Sequence, residues 1–121
     1  MSIHESGENY LEKILMLSQS QEKGRAIDLC AALGFSRPTV SVMLRELREN
    51  GFVTTAANGG LTLTPAGEAV AHRIYERHLL ITEALMALGV SRETALEDAC
   101  KIEHDISEET VEKLREFLKS R

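Results

Sequence analysis

The side chains in this sequence that are best suited to hold a metal ion lie together near position 100. Cys100, Glu103 and His104 bring a thiol, a carboxylate and an imidazole into five residues. If the segment is helical, Cys100 lies three and four positions before the other two, and residues at those spacings are neighbours on a helix surface. Donors of such mixed softness suit a divalent transition metal. We therefore predict a metal site here whose remaining ligands come from other parts of the chain.

A second interpretation of the same residues is catalytic. Cys100 would be a thiol nucleophile and His104 its base, because their spacing on a helix allows contact. Neither a glycine-rich turn nor a pattern typical of an oxyanion hole accompanies them. Metal binding is therefore the preferred interpretation, and the chain is not predicted to be an enzyme.

Composition narrows the class of protein. The chain has 121 residues, of which 43% are hydrophobic, and this length allows one compact unit or two small ones. No apolar run is long enough to cross a bilayer, and the first residues lack the features of a signal peptide. We therefore expect a cytoplasmic protein with no membrane partner, in which Cys30 and Cys100 need not form a disulfide.

The net charge of −5 is unevenly distributed. Residues 1–64 carry six basic and seven acidic side chains, whereas residues 65–121 carry eight basic and twelve acidic ones. The nearly neutral first half permits DNA binding, and the acidic second half fits cation binding.

A helix-turn-helix is predicted in the first half, after a polar connector over residues 19–24. One helix covers residues 25–33 and ends where Gly34 can take a left-handed backbone, and the next covers residues 37–50 with Ser36 as its cap. The outer side of the second helix suits a DNA groove, since Arg can bind guanine, Ser and Thr can reach phosphates and Val can touch a thymine methyl. The alternative is the solvated face of any helical hairpin. The candidate DNA-binding residues are Ser36, Arg37, Pro38, Thr39, Ser41, Val42 and Arg45.

A β-hairpin is predicted directly after this second helix. Residues 52–57 and 60–63 flank Asn58-Gly59, which is a strong signal for a tight hairpin turn. A hairpin in this position is the wing of a winged helix, and it favours DNA binding, although wings also occur in protein-binding domains. The wing contains no Lys or Arg, so its phosphate contacts would come from backbone or hydroxyl groups.

Three helices are predicted in the second half: one from Pro65 to about Leu88, one capped by Ser91 that continues through His104, and a last one capped by Ser107. Their apolar faces are too large to be buried among three helices, so a two-fold homodimer is expected. The predicted fold is mainly α, with a winged helix-turn-helix over residues 1–64 and an all-helical metal-binding and dimerisation domain over residues 65–121.

Several segments together resemble one family, the metal-dependent repressors that include the diphtheria toxin repressor and the manganese transport regulator. The resemblance covers essentially the whole chain in the family's short two-domain form. It implies a DNA-binding winged helix followed by a helical domain that binds metal and dimerises. The segments that carry it are residues 8–12, 36–41, 77–80 and 98–107.

The resemblance also implies the metal ligands. Taken alone, Asn9 and Glu12 are interpreted as solvated polar residues, and His78, on the apolar side of a long helix, as a packed core histidine. In the family pattern, all three residues are metal ligands. It places Glu12, His78 and Glu103 at a first metal position, and Cys100, Glu103 and His104, with an oxygen of Asn9, at a second. The ancillary ligands of the iron branch are absent, because Thr82 and Leu96 occupy those positions.

The function implied is that of a metal-dependent repressor of metal-ion homeostasis genes. Metal would compensate the repulsion between Glu12 and Glu103 and fix the homodimer for binding to a palindromic operator in double-stranded DNA. The thiolate and imidazole favour Fe²⁺ or Zn²⁺ over Mn²⁺, while the carboxylates and an amide oxygen suit Mn²⁺. Fe²⁺ is the preferred metal and Mn²⁺ the second candidate, and other divalent transition metals would bind in vitro. The alternative is a metal-independent winged-helix regulator that responds to an organic ligand.

Overall fold

The computed structural model describes residues 5–19 (of Gln19, the backbone only), 25–57 and 59–121. Over these residues the chain forms six helices and one antiparallel hairpin, in two compact units that divide between His72 and Arg73. Of the connector expected over residues 19–24, residues 20–24 lie outside the described residues, as does the turn residue Asn58, while Gln19 ends the first helix. The elements are α1 (Glu5–Gln19), α2 (Ala26–Leu33), α3 (Arg37–Glu49), β1 (Val53–Thr55), β2 (Leu61–Leu63), α4 (Pro65–Ala87), α5 (Arg92–Ile102) and α6 (Glu108–Lys119).

The predicted helix-turn-helix is present as α2 and α3. Gly34 ends α2 with a φ of 74°, and its N–H donates to the carbonyl of Cys30 at 2.9 Å. The Ser36 hydroxyl then caps α3 by accepting from the N–H of Thr39. The chain bends by 116° between the two helices, which is within the range of this motif. One face of α3 is buried through Val40, Leu44 and Leu47.

The wing is shorter than predicted, since each strand has only three residues. Val53 pairs with Leu63 and Thr55 with Leu61. Beyond this register, Gly60 forms an isolated bridge to Arg25, just before α2. The hairpin is therefore held against the helix-turn-helix at its base and at its far end.

The beginning of α4 belongs to the first unit. The Thr64 hydroxyl donates to the Gly51 carbonyl at 2.6 Å and accepts from the N–H of Gly67 at 3.1 Å. A Cβ at Gly67 would lie 2.1 Å from the carbonyl oxygen of Phe52, so only glycine allows this close approach. This packing explains why the compact units divide inside α4, whereas the sequence prediction placed the domain boundary after Thr64.

The second unit consists of the rest of α4 with α5 and α6. Side-chain hydroxyls cap both later helices: Ser91 accepts from Thr94 N–H at 3.3 Å, and Ser107 accepts from Thr110 N–H at 3.1 Å. Small residues of α5 allow close packing, because Ala95 and Ala99 are fully buried. The remaining buried apolar side chains of this unit are Ile74, Ile81, Ala84 and Val111.

One boundary differs in a way that affects the site. The sequence predicted a helix through His104, but α5 ends at Ile102 and the next three residues form a turn. No single helix among the described residues is long and apolar enough to span a membrane, and α2 with α3 meets those criteria only as a bent pair.

Candidate metal centre and nucleic-acid interface

Three of the predicted ligands converge in the second unit. The ligand atoms of His78, Cys100 and Glu103 all lie within 4.8 Å of one another. His78 Nδ1 is 2.9 Å from Glu103 Oε2 and 3.9 Å from Cys100 Sγ. An imidazole nitrogen, a thiol and a carboxylate thus face one point, which is the arrangement that a small cation requires.

Helix α4 supplies the imidazole, and the end of α5 supplies the other two groups. His78 is 8% exposed, and one turn further along the Thr82 hydroxyl donates to the His78 carbonyl at 2.7 Å. Glu103 lies just beyond α5 but keeps helical dihedrals (φ −57°, ψ −24°), and its N–H still donates to Ala99. Because of this residual helical turn, Glu103 remains on the same side as Cys100 although the helix has ended.

The carboxylate of Glu103 is the most buried group of the site. The residue has 0% exposure, and its Oε1 atom has no hydrogen-bond partner among the described residues. His104 lies beside it, with Nε2 at 3.5 Å from Oε1. Burial of a carboxylate is costly unless a positive charge compensates it. The centre is therefore suited to receive a cation.

The two other predicted ligands are on α1 in the first unit. Glu12 is 2% exposed, so its interpretation as a solvated residue is wrong, whereas Asn9 is partly exposed. Glu8, one turn before Glu12, is also buried, at 7%. Two buried carboxylates on one short helix are unusual for a residue type that normally remains in water.

Sequence reasoning missed Arg77. This residue is 5% exposed, and its guanidinium donates to the carbonyl oxygens of Glu103 and Ile106 at 3.3 and 2.9 Å. A second arm of the guanidinium pairs with Glu108. The signal was its spacing, since Arg77 lies three residues after Ile74 and four before Ile81, on the buried side of α4.

The candidate DNA-binding residues form an exposed face, because the side chains of all seven are accessible to solvent. The hydroxyl oxygens of Ser36 and Thr39 are 2.9 Å apart. Ser36, which also caps α3, therefore has a structural role. Val42 remains 49% exposed, which leaves its methyl groups available. Arg48, on the same helix, donates to the Thr55 hydroxyl at 3.3 Å and so connects α3 with the wing.

Comparison with protein families matches both halves of the chain. Residues 2–61 match the N-terminal DNA binding domain of the iron dependent repressors, and residues 64–121 match their metal binding and dimerisation domain. The chain belongs to the iron-dependent repressor family. This regulator therefore has the predicted fold, a winged helix-turn-helix and a helical metal-binding and dimerisation domain, and the predicted family resemblance is confirmed.

Relatives of this family member include named manganese regulators. It is 39% identical over 110 residues to the transcriptional regulator MntR of Salmonella typhimurium, an alignment that covers 91% of this chain and 70% of that protein. The manganese regulator SloR superposes with a TM-score of 0.83 at 31% identity, over 100% of this chain and 56% of that one. A manganese-dependent transcriptional repressor in complex with manganese superposes with a TM-score of 0.86 at 29% identity, over 93% of this chain and 52% of that one.

The family member spans about half the length of these two solved chains. The comparisons confirm a metal-dependent transcriptional regulator and favour it over the enzyme and over the metal-independent regulator considered above. The preference for Fe²⁺ is not confirmed, and the ligand set stays a prediction beyond the convergence of His78, Cys100 and Glu103.

Proposed function

We propose that this regulator binds Mn²⁺ or Fe²⁺ through His78, Cys100 and Glu103, and that metal binding controls its affinity for operator DNA. The observation that carries the proposal is the buried Glu103 carboxylate, which faces an imidazole and a thiol and keeps one oxygen without a hydrogen bond among the described residues. Since a buried anion in such a setting needs a compensating charge, a bound cation stabilises this arrangement.

The donor set fits a divalent transition metal, because imidazole, thiolate and carboxylate are its usual protein ligands. His104 is a further candidate, since its imidazole already lies against Glu103 at 3.5 Å. The family resemblance adds Asn9 and Glu12, and for these two the resemblance is the only support. A ligand from the DNA-binding unit would make metal binding and the DNA-binding arrangement favour each other.

Two arguments about the identity of the metal favour different ions. The thiol of Cys100 and the imidazole of His78 favour Fe²⁺, whereas two of the similar solved structures are a manganese regulator and a manganese-dependent repressor. Affinity alone does not decide, because Zn²⁺ binds most such sites more tightly than either metal. The activating metal must therefore be identified by measuring which metal produces DNA binding.

We further propose that the exposed face of α3 enters the major groove of a palindromic operator. The family match assigns residues 64–121 to dimerisation, and a two-fold dimer reads two half-sites about 34–36 Å apart, one turn of DNA. Arg37 and Arg45 are the candidate base or phosphate contacts on this face.

The test is selection of DNA from a random-sequence pool by the intact protein, at fixed salt, with Mn²⁺, anaerobic Fe²⁺ or chelator. We expect a palindromic consensus whose half-sites are one helical turn apart, and at least tenfold tighter binding with the activating metal than with chelator. His78→Ala should abolish the metal effect. His72→Ala is the matched control, because His72 is an exposed histidine on the same helix.

Two results would contradict the proposal. One is selected DNA that binds equally well in metal and in chelator, which would favour a metal-independent regulator. The other is an unchanged metal effect in His78→Ala, which would exclude the cluster as the activating site. A consensus without two-fold symmetry would overturn only the operator geometry.

A further inference from the structure

Arg77 is a buried cation, and its hydrogen bonds within the described part of the chain do not go to the side-chain atoms of the proposed metal ligands. Its guanidinium instead reaches the turn between α5 and α6, where it donates to the Glu103 carbonyl at 3.3 Å and to the Ile106 carbonyl at 2.9 Å. The same group pairs with the carboxylate of Glu108, in the first turn of α6. One side chain of α4 thus holds two points on the segment between α5 and α6 and a third in the first turn of α6.

These contacts explain why an arginine can be buried here. The last carbonyl groups of a helix have no partner within the helix, and a cationic side chain near that end can satisfy them. Glu108 compensates the positive charge, and the planar guanidinium fixes the direction of several bonds at once, which a lysine ammonium does not.

The position of the contacted turn gives Arg77 its significance. Residues 103–106 include the candidate ligands Glu103 and His104. Arg77 bonds to the backbone carbonyl of Glu103. The carboxylate of Glu103 faces His78, which follows Arg77 on α4. One turn of α4 therefore supplies the candidate ligand His78 and, through Arg77, fixes the backbone of Glu103, the candidate ligand opposite.

We propose that Arg77 is a positioning residue of the metal site. It holds the turn of residues 103–106 so that the Glu103 carboxylate lies opposite His78 and Cys100 before metal enters. This inference rests on the proposed metal function. Ordering of ligands in the metal-free protein raises affinity, because the cost of ordering is not incurred on binding.

The experiment measures Mn²⁺ affinity of the full chain by competition calorimetry. We expect Arg77→Met to weaken binding about 10- to 100-fold, the range typical for groups that orient metal ligands. Arg77→Lys, which keeps the charge but not the planar geometry, and Glu108→Gln should each weaken it less. Arg115→Met is the matched control, because Arg115 pairs with Glu76 and Glu112 on the surface of the same unit.

Two further readouts separate positioning from general stability. Amide hydrogen exchange of the metal-free protein should accelerate at residues 103–106 in Arg77→Met, while exchange in the middle of α6 stays as in the wild type. Visible absorption of the Co²⁺ form should change in Arg77→Met, because the Glu103 oxygen no longer occupies its position. If Arg77→Met does not fold, Arg77→Lys and the surface variant Glu108→Gln carry the same test.

The outcomes distinguish this inference from the proposed function. Wild-type protein that binds Mn²⁺, together with Arg77 variants of equal affinity, would overturn the positioning role and leave the proposed function intact. Lower affinity with unchanged exchange at residues 103–106 would also overturn it. Wild-type protein that binds neither Mn²⁺ nor Co²⁺ would overturn both.

Discussion

Two candidate sites differ in how they are built: the exposed face of α3 with the candidate DNA-binding residues (the recognition face), and the candidate metal centre of the second unit. The face is a row of exposed side chains on one capped helix, and none of its candidate residues needs a distant partner to be in place. The centre brings His78 from α4 together with Cys100 and Glu103 from the end of α5, and Glu103 is completely buried. The first site follows from local structure, and the second exists only in the folded unit.

This difference has an energetic consequence. The arginines of α3 are hydrated in the free protein, so each adds binding energy only where it meets DNA, and losses should be divided among several residues. Glu103 is removed from water in the fold itself and lies against the His78 and His104 imidazoles, so a bound cation acts on a carboxylate that water does not screen. Single changes should therefore affect the metal centre more severely than the recognition face.

The largest effect is expected for Glu103→Gln. The change keeps the shape but removes the buried negative charge, so Mn²⁺ affinity should fall more than about 100-fold, beyond the usual effect of an outer-shell change. The metal-free variant should be at least as stable as the wild type, because the buried negative charge at this position is gone. Calorimetry and thermal unfolding with and without Mn²⁺ measure both quantities.

Glu97→Gln is the control for this experiment, since Glu97 is exposed on α5, the helix that directly precedes Glu103. Metal should raise the unfolding temperature of wild type and control, as expected for a ligand that binds only the folded state, but not that of Glu103→Gln. If Glu103→Gln bound Mn²⁺ as tightly as the wild type does, the expected greater sensitivity of the metal centre than of the recognition face would be refuted.

A smaller effect is expected for Arg45→Ala. One arginine contact to a base is worth about 1–3 kcal/mol, so affinity for selected DNA should fall roughly 5- to 150-fold, with Mn²⁺ affinity of the free protein unchanged. Fluorescence anisotropy at several salt concentrations separates a base contact from a phosphate contact. Arg92→Ala, an exposed arginine of α5, should bind as the wild type does; an equal loss there would indicate a non-specific charge effect.

The smallest change is expected in the choice of metal. Cys100→Ser replaces a soft donor with a hard one, so Zn²⁺ affinity should fall about tenfold more than Mn²⁺ affinity, on the general preference of thiolates. The ratio of the two dissociation constants is the measurement. Cys30→Ser provides the comparison, because Cys30 is in the first unit on α2. A ratio that is unchanged in Cys100→Ser would exclude the thiol as a ligand.

Local sequence was sufficient for most of the first unit. Gly34 and Ser36 mark the end of one helix and the start of the next, and the spacing of Val40, Leu44 and Leu47 leaves the opposite side of α3 exposed. These features depend on residues a few positions apart, which is the range over which caps and helical periodicity act. The hairpin was predicted for the same reason, although its strands proved shorter.

The metal centre was predicted only in part. The sequence identified Cys100 and Glu103 from their spacing, and His78 through the family resemblance. It did not predict the end of α5 at Ile102, the burial of Glu12 or the contacts of Arg77.

The sequence by itself thus determined the types of candidate ligand, the helix caps and the exposed face of α3. The tertiary structure decided which ligands meet, where α5 stops and what holds the turn of residues 103–106. The physical reason is distance along the chain. His78 and Glu103 are 25 positions apart, and their contact at 2.9 Å depends on how α4 and α5 pack rather than on any local preference.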